Sequence, residues 1–168
     1  MSEDTNKLRT IALRMLNTHW REPWQFRLEV EGYPHDDWDL CVKDVTYGPN
    51  EIETEPEQIG AVVLTYPTSA QPVSISMTMR DQEDRRVYKF FESQAQKVIN
   101  PDGTVNLPSD YLLKIRRFSL LHGETPEEET DVWKVFPTQL GDVTESKDGE
   151  GLLEFPITFI QFRSLGDQ

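Results

Sequence analysis

From Trp24 to Val30 the chain alternates: Trp24, Phe26, Leu28 and Val30 are apolar, and Gln25, Arg27 and Glu29 between them are polar. A period of two is that of a strand with one buried face. Gly32-Tyr33-Pro34 breaks the run, and a second strand is predicted from Asp39 to Tyr47. The clearest alternation follows at 73–80. There Val73, Ile75, Met77 and Met79 interleave with Ser74, Ser76, Thr78 and Arg80. After Asp81 the period lengthens. Val87, Phe90, Phe91, Gln94, Ala95 and Val98 fall on one face of a helix, for which the Asp81 carboxylate is a natural cap. Asn100-Pro101-Asp102-Gly103 ends that helix with turn residues.

Further strands are predicted over Tyr111–Leu121, Asp131–Phe136 and Leu152–Arg163. In the last, Pro156 lacks an N–H, so it is expected at an edge or a bulge. A separate amphipathic helix is predicted from Thr5 to Asn17. Its stripe is Leu8, Ile11, Ala12, Met15 and Leu16, and Glu3 and Asp4 lie at the end where the helix dipole favours negative charge. It precedes the alternating pattern and is expected to dock on a neighbour.

Helix-length crossovers between strands are scarce, so the strands should be antiparallel. The predicted class is α+β, mainly β. Its core is an antiparallel β-sandwich or barrel with one packed helix, plus the N-terminal helix. The expected division is a helical extension over residues 1–20 and a β domain over 21–168.

The chain has 168 residues and a net charge of −13. Gripping nucleic acid needs Lys and Arg set against phosphates, so this balance argues against a DNA-binding or anionic-lipid-binding protein. It is compatible with a protein that lets DNA pass without adhering. No apolar run reaches the length of a membrane span, so no membrane anchor is expected. The residues around Glu3 and Asp4 do not read as a signal peptide. Cys41 is the only cysteine, which rules out an internal disulfide and a cysteine-based zinc site.

Candidate chemistry is sparse. His19, His35 and His122 are scattered and belong to no metal or nucleophile motif. His35-Asp36-Asp37 reads as a turn between strands rather than a metal site, and Cys41 as a small core or interface residue. No phosphate loop or dinucleotide fingerprint is present. No catalytic residue, metal or cofactor is expected, and the chain is not expected to be an enzyme. One charge pattern stands apart. Glu51, Glu53, Glu55 and Glu57 alternate with Ile52, Thr54 and Pro56. In an extended segment their carboxylates share one side at about 7 Å spacing. Such a row is a solvated face, a calcium site, or an acidic strip that meets cations of another subunit, with Arg80, Arg85, Arg86 and Arg116 as candidates.

The order of these features resembles the tail tube proteins of contractile phages, including relatives that initiate the tube at the baseplate. The opening strand of that family matches Trp24-Gln25-Phe26-Arg27-Leu28-Glu29-Val30. Its strand followed by an aspartate and a helix matches Val73–Asp81 and the helix through Phe90 and Phe91. Its closing segments match Val135-Phe136-Pro137-Thr138-Gln139-Leu140-Gly141 and Leu153-Glu154-Phe155-Pro156-Ile157-Thr158-Phe159. The resemblance spans about Trp24 to Arg163. The substantial N-terminal helix and the Glu- and Pro-rich segment from Tyr47 to Pro72 depart from it.

What the resemblance implies is a structural virion protein assembled in the host cytoplasm. Six copies would form a ring, and stacked rings the inner tube of a contractile tail. Strands of neighbouring copies would join around a channel for DNA ejection, with an acidic, non-adhesive wall. Sheath and baseplate proteins are the expected partners, and Ser74, Ser76 and Thr78 are the candidate channel-facing residues. The alternatives are a baseplate-proximal tube initiator or adaptor, and a binding module for tail assembly. A phage-derived injection system would share the fold.

Overall fold

The computed structural model describes residues 3–121 and 127–164. His122 and the first part of the acidic stretch from Glu124 to Asp131 lie outside the described residues.

Helix α1 (Glu3–Leu16) leads through residues 17–25 into β1 (Phe26–Val30). A single helical turn, α2 (Trp38–Cys41), precedes β2 (Val42–Gly48). Two strands follow, β3 (Ile52–Ile59) and β4 (Val62–Ala70), then β5 (Ser74–Arg80) and the main helix α3 (Arg86–Val98). A second short turn, α4 (Pro108–Tyr111), leads into β6 (Leu113–Leu120), β7 (Glu127–Leu140) and β8 (Glu154–Gln161). The predicted second strand therefore begins three residues late, because Trp38–Cys41 are helical and bury Trp38 and Cys41.

Six strands form one sheet in the order β1-β6-β7-β8-β5-β2, with every neighbouring pair antiparallel. The antiparallel α+β class is as predicted, but the sheet is not closed into a barrel: β1 and β2 are its two edges. It curls strongly all the same. The Tyr47 ring on β2 lies 5.3 Å from the Trp133 ring on β7, and the Arg117 guanidinium on β6 lies 5.3 Å from Tyr47. At one end of the seam α2 stands between the two edges. There the Leu28 N–H of β1 donates to Asp39 Oδ1 at 2.9 Å, so a side chain takes the place of a partner strand.

The concave face holds the core. Strand β5 contributes Ile75, Met77 and Met79, strand β8 Phe155, Ile157 and Phe159, and strands β6 and β7 Ile115 and Val135, all essentially inaccessible. Helix α3 closes this core with Val87, Phe90 and Phe91. Phe91 stacks edge-on against Phe159 at 5.5 Å, whereas Phe90 turns toward Tyr33 and Trp38 at 5.2 and 5.7 Å. One aromatic of the pair therefore grips the sheet, and the other holds the β1–α2 loop.

The start of α3 is fixed as its aspartate predicts. Asp81 accepts the N–H groups of Val87 and Tyr88 at 3.2 and 3.1 Å, satisfying two donors that the first turn leaves without helical partners. Asp37 ties the loop to the same place. It receives Tyr33 Oη at 3.0 Å, Gln82 Nε2 at 2.6 Å and Arg86 Nη1 at 2.8 Å. Burial pushes its carboxyl up, but these hydrogen bonds and the Arg86 charge outweigh burial and hold it below the ordinary carboxylate range. The loop therefore loses this support only as pH falls below about 4, where the unfolded carboxylate begins to protonate and the folded one follows.

Pro156 is neither at an edge nor in a bulge; its strand β8 runs between β7 and β5. Its backbone faces the β7 side, where β7 has already ended at Leu140, and its carbonyl accepts the Gly141 N–H at 2.7 Å. The missing donor thus falls where no ladder bond is required. Gly141 is needed at this crossing, since a Cβ there would lie 2.3 Å from Pro156 Cγ.

Candidate assembly surfaces

Among the described residues, no group of three or more His, Cys, Asp and Glu side chains is arranged to hold a metal ion. No described helix is long and apolar enough to cross a membrane. The features left over from folding are two segments that stand off the core, the convex sheet face and the sheet edges.

The first stand-off segment is a ribbon. Strands β3 and β4 form a separate two-stranded antiparallel sheet, joined at Gly60-Ala61 with Gly60 at φ 64. A tight hairpin turn needs positive φ, and glycine adopts it without steric cost. Every residue of β3 and all of β4 except Ala70 are exposed. The Glu-rich segment is therefore extended, and its carboxylates form the predicted row. Glu53, Glu55 and Glu57 pair across the ribbon with Ser69, Tyr66 and Leu64. Ser69 Oγ donates to Glu53 at 2.8 Å and Tyr66 Oη to Glu55 at 3.2 Å. Ile59 pairs with Val62 at the tip of the same face. This face thus sets an acidic row on β3 beside an apolar row on β4. Glu51 lies just before β3, and its carbonyl accepts the Gln71 N–H at the root. No lysine or arginine occurs between Pro49 and Pro72.

The four candidate cations are engaged within their own chain. Arg80 Nε meets Glu154 at 3.2 Å, and Lys43 joins the same carboxylate at 2.8 Å. Arg86 bridges Asp37 and Asp84, each at 2.8 Å. Arg116 lies 3.9 Å from Glu31, and Arg85 stacks over the Tyr88 ring at 4.3 Å.

The second stand-off segment is α1, in which every described side chain from Asp4 on is exposed. Leu8, Ile11, Met15 and Leu16 are each more than half accessible.

The convex face of the sheet holds Ser74, Ser76 and Thr78 on β5, all half-buried. Across the ladder they stand beside Ile160, Thr158 and Pro156 of β8 and Gly48, Thr46 and Asp44 of β2. Register places Lys114, Arg116, Lys134, Arg27 and Glu29 on the same face further along. The charge of this face is mixed, with pairs at Arg27–Glu29, 2.6 Å, and Arg80–Glu154, 3.2 Å. The excess of carboxylates lies instead in segments such as the ribbon.

The ribbon was the element least visible in the sequence. Its signal was present: β-branched Val62, Val63 and Thr65 after a Gly-Ala turn, opposite alternating Ile52, Thr54 and Glu residues. Pro56 and Pro67 obscured it, since proline disfavours a strand interior unless both flanks are open.

No family model matches the chain, and no curated protein matches it in sequence. Solved structures with the same fold come from contractile machines. A chain of the sheath–tube complex of an extracellular contractile injection system, PVC, in the extended state superposes with a TM-score of 0.61 at 14% identity, covering 90% of this chain and 93% of that one. A chain of the PVC sheath/tube terminator assembly in the extended state gives a TM-score of 0.61 at 16% identity, covering 87% of this chain and 95% of that one. The fold is thus shared with chains of contractile injection system assemblies.

Proposed function

We propose that this chain is a non-enzymatic structural subunit of the tube of a contractile tail or injection system, working as a ring of six copies stacked on further rings. The observation that carries the reading is the fold shared with sheath–tube and terminator chains, joined to a ribbon and a helix that stabilise nothing within their own subunit. Two features of the sheet support it. Its edges β1 and β2 pair with no further strand, and an unpaired edge invites pairing with another chain. Because all six strands alternate in direction, β2 of one copy and β1 of the next run antiparallel in a ring. A heterologous contact of this kind closes when its rotation completes a circle.

Ser74, Ser76 and Thr78 would then face the conduit. Small hydroxyl side chains flanked by paired charges offer a passing DNA no concentrated cationic surface. Sheath and baseplate proteins are the outer partners of this reading, and the tail particle is where the protein works. The likeness to a terminator assembly and the added helix α1 favour a second placement, a ring at one end of the tube rather than along its length.

Sedimentation and electron microscopy of the purified protein, alone and with its tail partners, test the reading. Sixfold rings or tubes are expected; monomers under every condition would refute it. A Ser76→Arg variant tests the channel face. Assembled particles should eject their contents slowly at low salt and recover at high salt. Normal ejection through intact tubes would mean that another face lines the conduit.

A further inference from the structure

Among the described residues, helix α1 and the β3–β4 ribbon are the elements whose side chains are almost all exposed, and they complement one another. We infer that α1 of one copy docks lengthwise on the acidic–apolar face of the ribbon of the neighbouring copy. This rests on the ring reading above and names the surfaces that would lock adjacent copies.

Three observations carry it. The first is placement. Residues 17–25 join α1 to the start of β1, and the ribbon leaves the end of β2 and returns at the start of β5. With alternating strand directions, these three points lie at one end of the sheet. Copies related by rotation about a ring axis hold that end at the same height, so each ribbon lies level with its neighbour's α1. Within one chain, by contrast, the side chains of both are left exposed.

The second is shape and hydrophobicity. At 100° per residue, Leu8, Ile11, Ala12 and Met15 form one stripe, and from Leu8 to Met15 it runs about 10 Å along the helix. The apolar row Val62, Leu64 and Tyr66 runs about 13 Å along β4. Both are exposed, and a pairing would remove them from water together.

The third is charge. Lys7 and Arg14 flank the stripe on one side, seven residues and about 10 Å apart, and Arg9 flanks it on the other. Glu53, Glu55 and Glu57 flank the apolar row of the ribbon, spanning about 13 Å. The ribbon carries no cation of its own. The candidate arginines Arg80, Arg86 and Arg116 pair within their own chain with Glu154, Asp37, Asp84 and Glu31, and Arg85 stacks on Tyr88. The cations of α1 are carried on an exposed helix that stands clear of the core. A helix with an apolar stripe between basic flanks fits a ribbon with an apolar row beside an acidic one.

Disulfide trapping between two differently tagged full-length variants tests this. Copies carrying Met15→Cys are mixed with copies carrying Leu64→Cys and oxidised mildly; native Cys41 is buried and serves as the unreactive control. A covalent heterodimer carrying both tags is expected. Leu13→Cys, on the opposite side of α1, should give at least about tenfold less. In a second arm, Arg14→Glu and Glu57→Arg should each weaken self-association, and the two together should restore most of it. Sedimentation of the same samples separates this inference from the ring reading. Rings without the heterodimer overturn the docking and keep the ring. The heterodimer without rings keeps the docking and overturns the ring. Neither product overturns both, and equal trapping at Leu13, which would mean non-specific collision, overturns the docking. Trapping only within a single doubly substituted chain overturns docking between copies.

Discussion

Strands β5 and β3 are near-equal in length and both alternate in sequence, yet they depend on different things. Strand β5 buries Ile75, Met77 and Met79 almost completely, while β3 buries none of its eight residues. Strand β5 pairs with β2 and β8, and β3 pairs along its whole length with β4 alone. The difference shows how little a ladder alone stabilises: ordering each residue costs about 1–2 kcal/mol of conformational entropy, while a hydrogen bond returns about 1 kcal/mol net. Apolar burial, at about 25 cal/mol per Å², closes the gap for β5. A two-stranded ribbon in water has no such term and is marginal on its own. The curled sheet is therefore self-supporting, whereas the ribbon draws no such support from the core of its own subunit.

Substitutions probe that contrast directly. Phe90→Ala removes a buried ring held between Tyr33 and Trp38 and should lower unfolding free energy by about 3–5 kcal/mol in urea titrations. A variant as stable as the parent would show that α3 is packed some other way. Gly141→Ala forces a methyl group against Pro156; overpacking of this kind costs about 1–3 kcal/mol and should appear as a lower thermal midpoint. Asp81→Ala uncaps α3, with an expected loss of about 1–2 kcal/mol. Asp81→Asn, which keeps an acceptor, should recover part of it. At the other extreme, Leu64→Ala on the ribbon should change monomer stability by no more than about 0.5 kcal/mol while reducing assembly in sedimentation. A loss as large as that of Phe90→Ala would erase the distinction between the two regions.

How much of this was legible in the sequence follows the same division. Where one face of an element is buried, its period is written in apolar residues, so 73–80, the helix after Asp81 and 153–159 were placed within a few residues. Asp81 was readable as a cap because capping is local. The turns at Trp38–Cys41 and Pro108–Tyr111 were not, since each is one turn long and leaves no period. The ribbon was unreadable as a hairpin because nothing selects an apolar face on a strand that its own chain does not cover. Its acidic row was visible only as charge. Pro156 misled because the rule for proline concerns which backbone groups need partners, and that depends on where the neighbouring strand stops. Openness of the sheet was equally hidden: at its β1 edge the Leu28 amide is taken by Asp39, a contact between residues eleven positions apart.

The independence of the ribbon from the core has a genetic consequence. A copy damaged in the core fails to fold and is removed, leaving intact copies to assemble, so such lesions should be recessive. A copy damaged only in the ribbon still folds and still presents its other surfaces. It would enter assemblies alongside normal copies and spoil each one it joins. If six copies form the proposed ring, the proportion free of such copies falls as the sixth power of the normal fraction. Ribbon lesions should therefore be dominant, and an excess of ribbonless protein would poison assembly in cells that also make the normal chain.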